Sequence, residues 1–460
     1  MRRLSGIART GLVFVVFAMG GLEQTAAAQN SSQPARSEAK AAKDSATGSL
    51  APGRQKCFLE RTIVFTGSLR VRLESTQGSD FSLTTANAYV LTRARLGVGF
   101  RPVPWLRVFG EAADARAEFY KTKPPSSNDN PFDLRQAYIE AGTLEGNGVR
   151  VRLGRQDMTI GSGRLVAVGD WGNDSRTFDV ARGTIASGKF NVEVIAGSPV
   201  LPDTTRFDRH KAGEHFFVAY STIKSILPGA SIEPYFMAKT QAGTDAVKSK
   251  DGQLGDADTL YAGMRLTGKL PGRFDYSFEG VREAGHYSHD VVDAWGYVAG
   301  GGWTINRSAW NPHVSSDYVW ASGDSGKKDG FHQNFDCLYG LNQPLNSMTG
   351  QISWKNIEDW RAGVDFTPGK KLKVKIDFRD YWLATVQDGL YNSSGTRTVF
   401  DAKATSSHVG VGVDAQVILT LNQKTLVGLG FGNLTPGAYL KQAGKTTGLI
   451  YPSIYFTRQL

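Results

Sequence analysis

One pattern, repeated from about residue 60 to the end of the chain, limits what this sequence can fold into: apolar and polar residues alternate with a period of two. In AYVLTRARLGVGFR (88–101), Ala88, Val90, Thr92, Ala94, Leu96, Val98 and Phe100 share one parity. Tyr89, Leu91, Arg93, Arg95, Gly97, Gly99 and Arg101 share the other, and every charge lies there. Successive side chains of a strand point to opposite faces, so such a segment reads as a strand with one apolar face. VRVRLGRQ (149–156) begins the same way, with Val149, Val151 and Leu153 set against Arg150 and Arg152.

About eighteen segments of this kind are expected, spaced by roughly 20 residues. They begin near Thr62, Thr84, Pro104, Phe132, Gly148, Ser175, Gly188, Gly213, Ala230, Ala257, Gly272, Val291, Arg307, Ile357, Lys370, Thr405, Gln423 and Thr447. Tight turn signals join many of them, as at Arg101–Pro104, Leu270–Gly272 and Thr367–Gly369. Longer polar connections alternate with these turns: 121–131, 248–256, 322–355 and 386–403.

Alternation by itself allows two architectures. A soluble β-protein turns its apolar faces to a core, whereas a transmembrane barrel turns them to lipid and its polar faces to a lumen. Three features favour the barrel. The strands look long, at roughly 10–14 residues, as a tilted span requires. Aromatic residues stand near many strand ends (Trp105, Tyr120, Trp303, Trp310, Trp320, Trp360, Tyr381, Trp382, Tyr451 and Tyr455), where interfacial girdles form. The chain also opens with an export signal. Arg2, Arg3 and Arg9 precede a short apolar run, Gly11–Met19, and the small residues Ala26–Ala28. No segment is long and apolar enough for a helical span.

The expected organisation is therefore a signal peptide (1–28), a disordered polar segment (29–59) and one all-β domain (60–460). That domain is read as a transmembrane antiparallel β-barrel of about 18 strands in the cell outer membrane, in contact with its lipid. Removal of residues 1–28 lowers the formal charge from +10 to +8, because that segment holds three arginines and one glutamate. Cys57 and Cys337 are the only cysteines, and one distant pair is no disulfide framework.

Residues 60–190 hold fifteen arginines and three lysines. Arginine keeps its charge in confined places and grips carboxylates with a planar fork. A lumen lined with it attracts anions, whereas a mid-membrane arginine facing lipid costs about 2–4 kcal/mol. The strand arginines are thus expected to face inward, with Arg93, Arg95, Arg116, Arg150, Arg152, Arg176 and Arg182 along the substrate path. Some also brace the wall; Asp114 sits near Arg116, Glu140 near Arg135 and Asp179 between Arg176 and Arg182. His286-x-x-His289-Asp290 is the one tight histidine cluster and makes a weak metal site. No nucleophile elbow, paired-carboxylate spacing or phosphate loop stands out. No enzyme activity, cofactor, metal or nucleic-acid partner is expected.

The ordered pieces DLRQAYIE (133–140), VRLGRQDMTIGSGRLVAVGDWGNDSRTFDVAR (151–182), FDCLYG (335–340) and NIEDWRAGVDFTPGKKLKVKIDFRDYWLATVQDGLYNSSG (356–395) resemble the alginate-export family of outer-membrane barrels. That resemblance implies an eighteen-stranded monomer. It also implies a narrow basic conduit that passes an acidic polysaccharide, with periplasmic export components as potential partners. Arg135 and Arg155 match two arginines of the family's conduit; its second basic group has no clear match, and Arg379, Lys327 and Lys328 are the candidates for it. An uptake porin for small anionic solutes is the alternative.

Parity sets one conflict. Arg155 shares the parity of Leu153, and Arg135 that of Ala137 and Ile139, so simple alternation turns both outward. A bulge at Gly154 is one way to bring Arg155 inward. Residues 161–174, with Arg164, are expected to form a rim excursion between two strands.

Overall fold

A computed structural model describes residues 62–82, 86–224, 226, 228–305 and 310–460. The expected signal peptide, polar segment and Cys57 lie outside the described residues.

Eighteen strands make up the wall. The first six are β1 (Ile63–Gln77), β2 (Ala86–Val103), β3 (Leu106–Glu118), β4 (Asn130–Gly142), β5 (Gly148–Gln156) and β6 (Phe178–Ala186). The next six are β7 (Phe190–Leu201), β8 (Glu214–Ile223), β9 (Ala230–Gln241), β10 (Ala257–Leu270), β11 (Phe274–Tyr287) and β12 (Asp290–Thr304). The last six are β13 (His313–Ala321), β14 (Ile357–Phe366), β15 (Leu372–Trp382), β16 (His408–Asn422), β17 (Thr425–Pro436) and β18 (Leu449–Gln459). Each pairs antiparallel with the next, and β18 pairs with β1, so the 18-stranded barrel is closed and leaves no edge.

The two-residue period accounts for the wall. Val98, Phe100, Leu153, Val194, Phe236, Met264, Leu429 and Ile454 are exposed on the outer face. Alternate positions such as Arg93, Tyr138, Tyr261 and Asp359 are buried inside. Apolar outside and polar inside is the arrangement a bilayer imposes on a closed sheet. Exposed aromatic pairs mark the two ends: Phe274 stacks on Trp303 at 5.8 Å near one rim, and Phe132 meets Phe207 at 6.3 Å near the other. The aromatic list divides here. Tyr381 and Tyr451 are buried, and Tyr455 packs on Trp171, so these three stand inside the barrel and not in a girdle.

Short turns at 104–105, 143–147, 187–189 and 423–424 join strands at one rim, which also holds Leu460. The other rim carries the long connections 119–129, 157–177, 242–256, 322–356 and 383–407, with one tight turn at 288–289. In outer-membrane barrels the long-loop rim faces out of the cell.

Two of the long loops run inside the wall. Residues 157–177 are no rim excursion. Met158, Ile160, Leu165 and Val166 are buried in one apolar cluster with Phe335, Met348, Ile352 and Trp354 of the 322–356 loop. The two loops pair in parallel at Val166 and Tyr339. Glycines on the inner face of β17 make room for them: a Cβ on Gly430 would meet Met348 Cε at 3.0 Å, and one on Gly432 would meet Met348 Cβ at 2.7 Å.

Candidate functional site

The 157–177 loop crosses the lumen. Ser162 Oγ donates to Glu279 Oε2 on β11 at 2.5 Å. The other side of the loop lies against β1 and β2, where three arginines converge on one residue. Arg93 Nη1 and Arg95 Nη2 donate to Asp170 Oδ1 at 2.8 and 3.1 Å. Arg70 Nη1 donates to the main-chain oxygen of Asp170 at 2.7 Å, with the carboxylate 3.8 Å away. Burial opposes ionisation of Asp170, but Arg93, Arg95 and Arg70 outweigh it and hold the carboxyl well below the usual carboxylate range. Arg72 lies over the Trp171 ring at 4.5 Å. Asn173 Nδ2 donates to the carbonyls of Thr92, Arg116 and Asn128 at 2.9–3.1 Å.

The second loop is held differently. Trp354 is buried and edge-on to Phe335 at 5.0 Å, with its Nε1 donating to Trp320 O at 2.9 Å. Main-chain bonds tie it to the first loop, including Tyr339 N to Leu165 O at 2.9 Å and Leu341 N to Gly163 O at 2.9 Å. Met348 N donates to Asp414 Oδ1 at 3.1 Å. Arg164, in the first loop, lies over Trp354 at 5.5 Å and donates to Asn346 Oδ1 at 3.3 Å. Burial lowers its proton affinity.

The arginines picked from the sequence divide into inward, outward and loop positions. Arg93, Arg95, Arg150, Arg152 and Arg182 lie on the inward parity of their strands. Arg152 shares Glu140 with Arg107 and sits over the Tyr138 ring at 4.3 Å. Arg182 takes both oxygens of Glu193 at 2.8 and 2.9 Å. Arg150 has no ion-pair partner among the described residues.

Arg135 also faces inward, because the β3–β4 register slips there. Glu111 pairs with Gln136 and Ala112 with Leu134, leaving Arg135 as the extra residue of a bulge. It is buried, donates to Asp157 at 2.6 Å and lies 3.3 Å from Glu111. Glu140 is not its partner.

Arg155 does not turn inward. The register runs unbroken through Leu153–Ala181, Gly154–Val180 and Arg155–Asp179, so Gly154 makes no bulge. Its φ of +120° instead serves a close approach, since a Cβ there would lie 2.3 Å from Ala137 O. Arg155 stays on the face of Leu153, clasps Asp179 at 2.8 Å and donates to Asp208 O at 3.0 Å beneath the 202–213 loop. That loop is held by Asn130 Nδ2, which donates to Asp208 Oδ2 at 2.9 Å. Burial pushes Asp208 up to about 7, and the charges of Asp133 and Asp174 add to it.

Arg116 is likewise outward and exposed, paired with Asp114 on its own strand at 2.9 Å. Arg176 is not on a strand. It lies in the inward loop, where it donates to Ala167 O at 3.0 Å and to Tyr339 O. Arg379 is buried on β15, bound to Asp359 and to Leu345 O of the second loop. Lys327 and Lys328 are exposed on the 322–356 loop.

Sequence reasoning passed over Asp170, Lys239, Lys355 and the β14 residue Arg361. A signal for the inward loop was present in Leu165–Val168, an apolar run with no strand pairing to explain it. The histidine cluster lies at the 288–289 turn, and no group of three metal-binding side chains occurs among the described residues.

Comparison with known proteins agrees with the architecture. The chain is similar in structure to OpdQ of Pseudomonas aeruginosa (TM-score 0.57, 12% identity, covering 88% of this chain and 99% of that one). It is also similar to OccAB1 of Acinetobacter baumannii (TM-score 0.57, 12% identity, 88% and 98%). A BenF-like porin from Pseudomonas fluorescens Pf-5 gives a TM-score of 0.58 at 10% identity, with 86% and 98% covered. No curated protein sequence matches the chain. Residues 61–449 match the family model for alginate export. A closed eighteen-stranded barrel with that match over most of its length makes this chain a member of the alginate-export family, whose fold is that of passive outer-membrane channels.

Proposed function

We propose that this protein is a passive, anion-selective outer-membrane conduit that exports an acidic polysaccharide such as alginate. The observation that carries the reading is the charge balance on the inward positions of β1–β6. Arg70, Arg72, Arg93, Arg95, Arg107, Arg135, Arg150, Arg152 and Arg182 stand there against Glu74, Glu111, Asp133 and Glu140. Most of these guanidinium groups hold a carboxylate, several from outside this set (Asp157 and Asp170 in the inward loop, Glu193 on β7), which fixes them in space and leaves a small positive excess. Such a wall offers an anionic chain repeated weak sites. Weakness suits transport, since a ligand held firmly at one site does not move on.

Planar-bilayer recordings test the reading. Anion preference is expected in the wild type, with block by long uronate chains. Changing Arg95 and Arg135 to Ala should lower the anion-to-cation permeability ratio. Cation selectivity in the wild type, or an unchanged ratio in the double variant, overturns it.

One observation favours a second reading, an uptake porin for small anionic solutes. The two inward loops fill much of the lumen near the long-loop rim and leave between them and the β9–β11 wall a cavity of about 270 Å³. That volume suits a single small ligand better than a polymer in transit. Under this reading uronate monomers cross at measurable rates and long chains do not.

A further inference from the structure

The cavity just named lies on the opposite side of the lumen from the Asp170 cluster. Its walls come from β9, β10 and β11, both inward loops and the 383–407 loop. It is strongly polar, and its charges do not cancel. Lys239 pairs with Asp336 at 2.6 Å. Glu283 accepts from the Asp336 amide at 2.8 Å and from the Tyr261 hydroxyl at 2.9 Å. Two further cations line the space, and neither has an ion-pair partner among the described residues. Arg176 donates only to main-chain carbonyls, and Lys355 stands over the Tyr391 ring at 5.1 Å.

Unneutralised cations in a confined, desolvated place attract an anion far more strongly than the same groups in water. Lys239 and Lys355 also act on Asp336: burial opposes its ionisation, but the two lysines outweigh this and hold the carboxyl below the usual carboxylate range. The rest of the lining suits a polyhydroxylated ring. Tyr287 stacks on His332 at 4.4 Å and gives an aromatic wall, while Ser353, Ser393 and Ser394 bring hydroxyl groups. The volume, about 270 Å³, lies just below the roughly 300–1,000 Å³ typical of small-molecule sites, as suits a single sugar ring.

We propose that this cavity is a binding subsite for one carboxylated sugar residue, with Lys355 and Arg176 taking the carboxylate and the serine hydroxyls taking ring hydroxyls. It rests on the reading of the protein as a conduit for acidic carbohydrate. It adds a specific stop, separate from the arginine wall of β1–β6.

The test uses the detergent-solubilised full chain, with saturation-transfer NMR and calorimetric titration against D-glucuronate, D-glucose and acetate. Saturable glucuronate binding is expected, with glucose and acetate each at least about tenfold weaker, because each lacks one half of the recognition. Lys355→Gln should weaken glucuronate by about tenfold, and Ser394→Trp, on an exposed loop at the cavity mouth, should abolish it. Heat-modifiable gel mobility reports that each variant keeps its barrel. Absence of saturable glucuronate binding by the wild type overturns the proposal, as does acetate binding as well as glucuronate. Undiminished binding by either folded variant also overturns it. Bilayer conductance separates this from the wider reading: a protein that binds glucuronate yet passes no current keeps the subsite and loses the conduit.

Discussion

The two inward loops occupy the same lumen but are fastened by different shares of charge and apolar packing. Residues 157–177 place Met158, Ile160, Leu165 and Val166 in the apolar cluster and add a set of ion pairs to the wall, Asp157 on Arg135 and Asp170 on Arg93, Arg95 and Arg70. Residues 322–356 are held mainly by Trp354, Phe335 and Met348 packed into the apolar cluster and by main-chain bonds, with Asp336 on Lys239 as an ion pair to the wall. An ion pair can be taken over by a competing anion, because the arginine fork accepts any carboxylate of suitable geometry. Apolar packing has no such competitor. The first loop is thus the part of the plug whose fastening an added carboxylate can contest, and the second is the more apolar frame beside it.

Asp170→Ala is expected to sharpen this contrast most. It leaves three inward arginines without their shared carboxylate, costs about 3–5 kcal/mol, and should raise the anion-to-cation permeability ratio. Unfolding by denaturant and reversal potentials report the two effects; a stable barrel with an unchanged ratio breaks the comparison. Trp354→Ala should cost a similar amount, about 3–5 kcal/mol, but leave ionic preference at the wild-type value while conductance rises. A shift in selectivity as large as that of Asp170→Ala would show that the frame and the charged loop are not separate.

A smaller effect compares two arginines. Arg135→Ala removes a buried group with two acidic neighbours and should cost about 3 kcal/mol. Arg155→Ala, at the rim, should cost about 1 kcal/mol and leave selectivity unchanged. Equal effects on selectivity would mean that Arg155 reaches the path after all.

The smallest effect concerns Asp208. Its native value near 7 lies above the ordinary carboxylate value, so the docked 202–213 loop binds the extra proton. Docking is firmest in acid and weakens as pH rises through about 7. The hydrogen-exchange protection factors of residues 202–208, with the intrinsic pH dependence of exchange divided out, should be lower at pH 8 than at pH 5, and Asp208→Asn should remove that difference.

Much of the wall was legible in the sequence, because the two-residue period follows directly from strand geometry. Expected starts at Gly148, Ala230, Ala257 and Ile357 coincide with the strands, and the largest offset is Arg307 against His313. The inward parity of Arg93, Arg95, Arg150 and Arg152 was legible for the same reason. Arg135 was not, because its direction depends on a slip between β3 and β4 that only the paired register reveals. The Gly154 bulge failed in the opposite way: the glycine answers a close carbonyl, not an extra residue. The inward course of 157–177 depends on contacts with residues far along the chain, at Tyr339, Met348 and Trp354. Local pattern carries no record of these.

Asn173 ties this together in time as well as space. Its side-chain amide is fully buried and reaches carbonyls on β2, on β3 and in the β3–β4 loop. None of those three acceptors stands beside the others until the neighbouring strands have zipped together. The amide can therefore be satisfied only after that part of the wall exists. A loop that docked before β2 and β3 had paired would bury an unpaired amide, so this one residue ties docking of the first inward loop to the hairpin beside it.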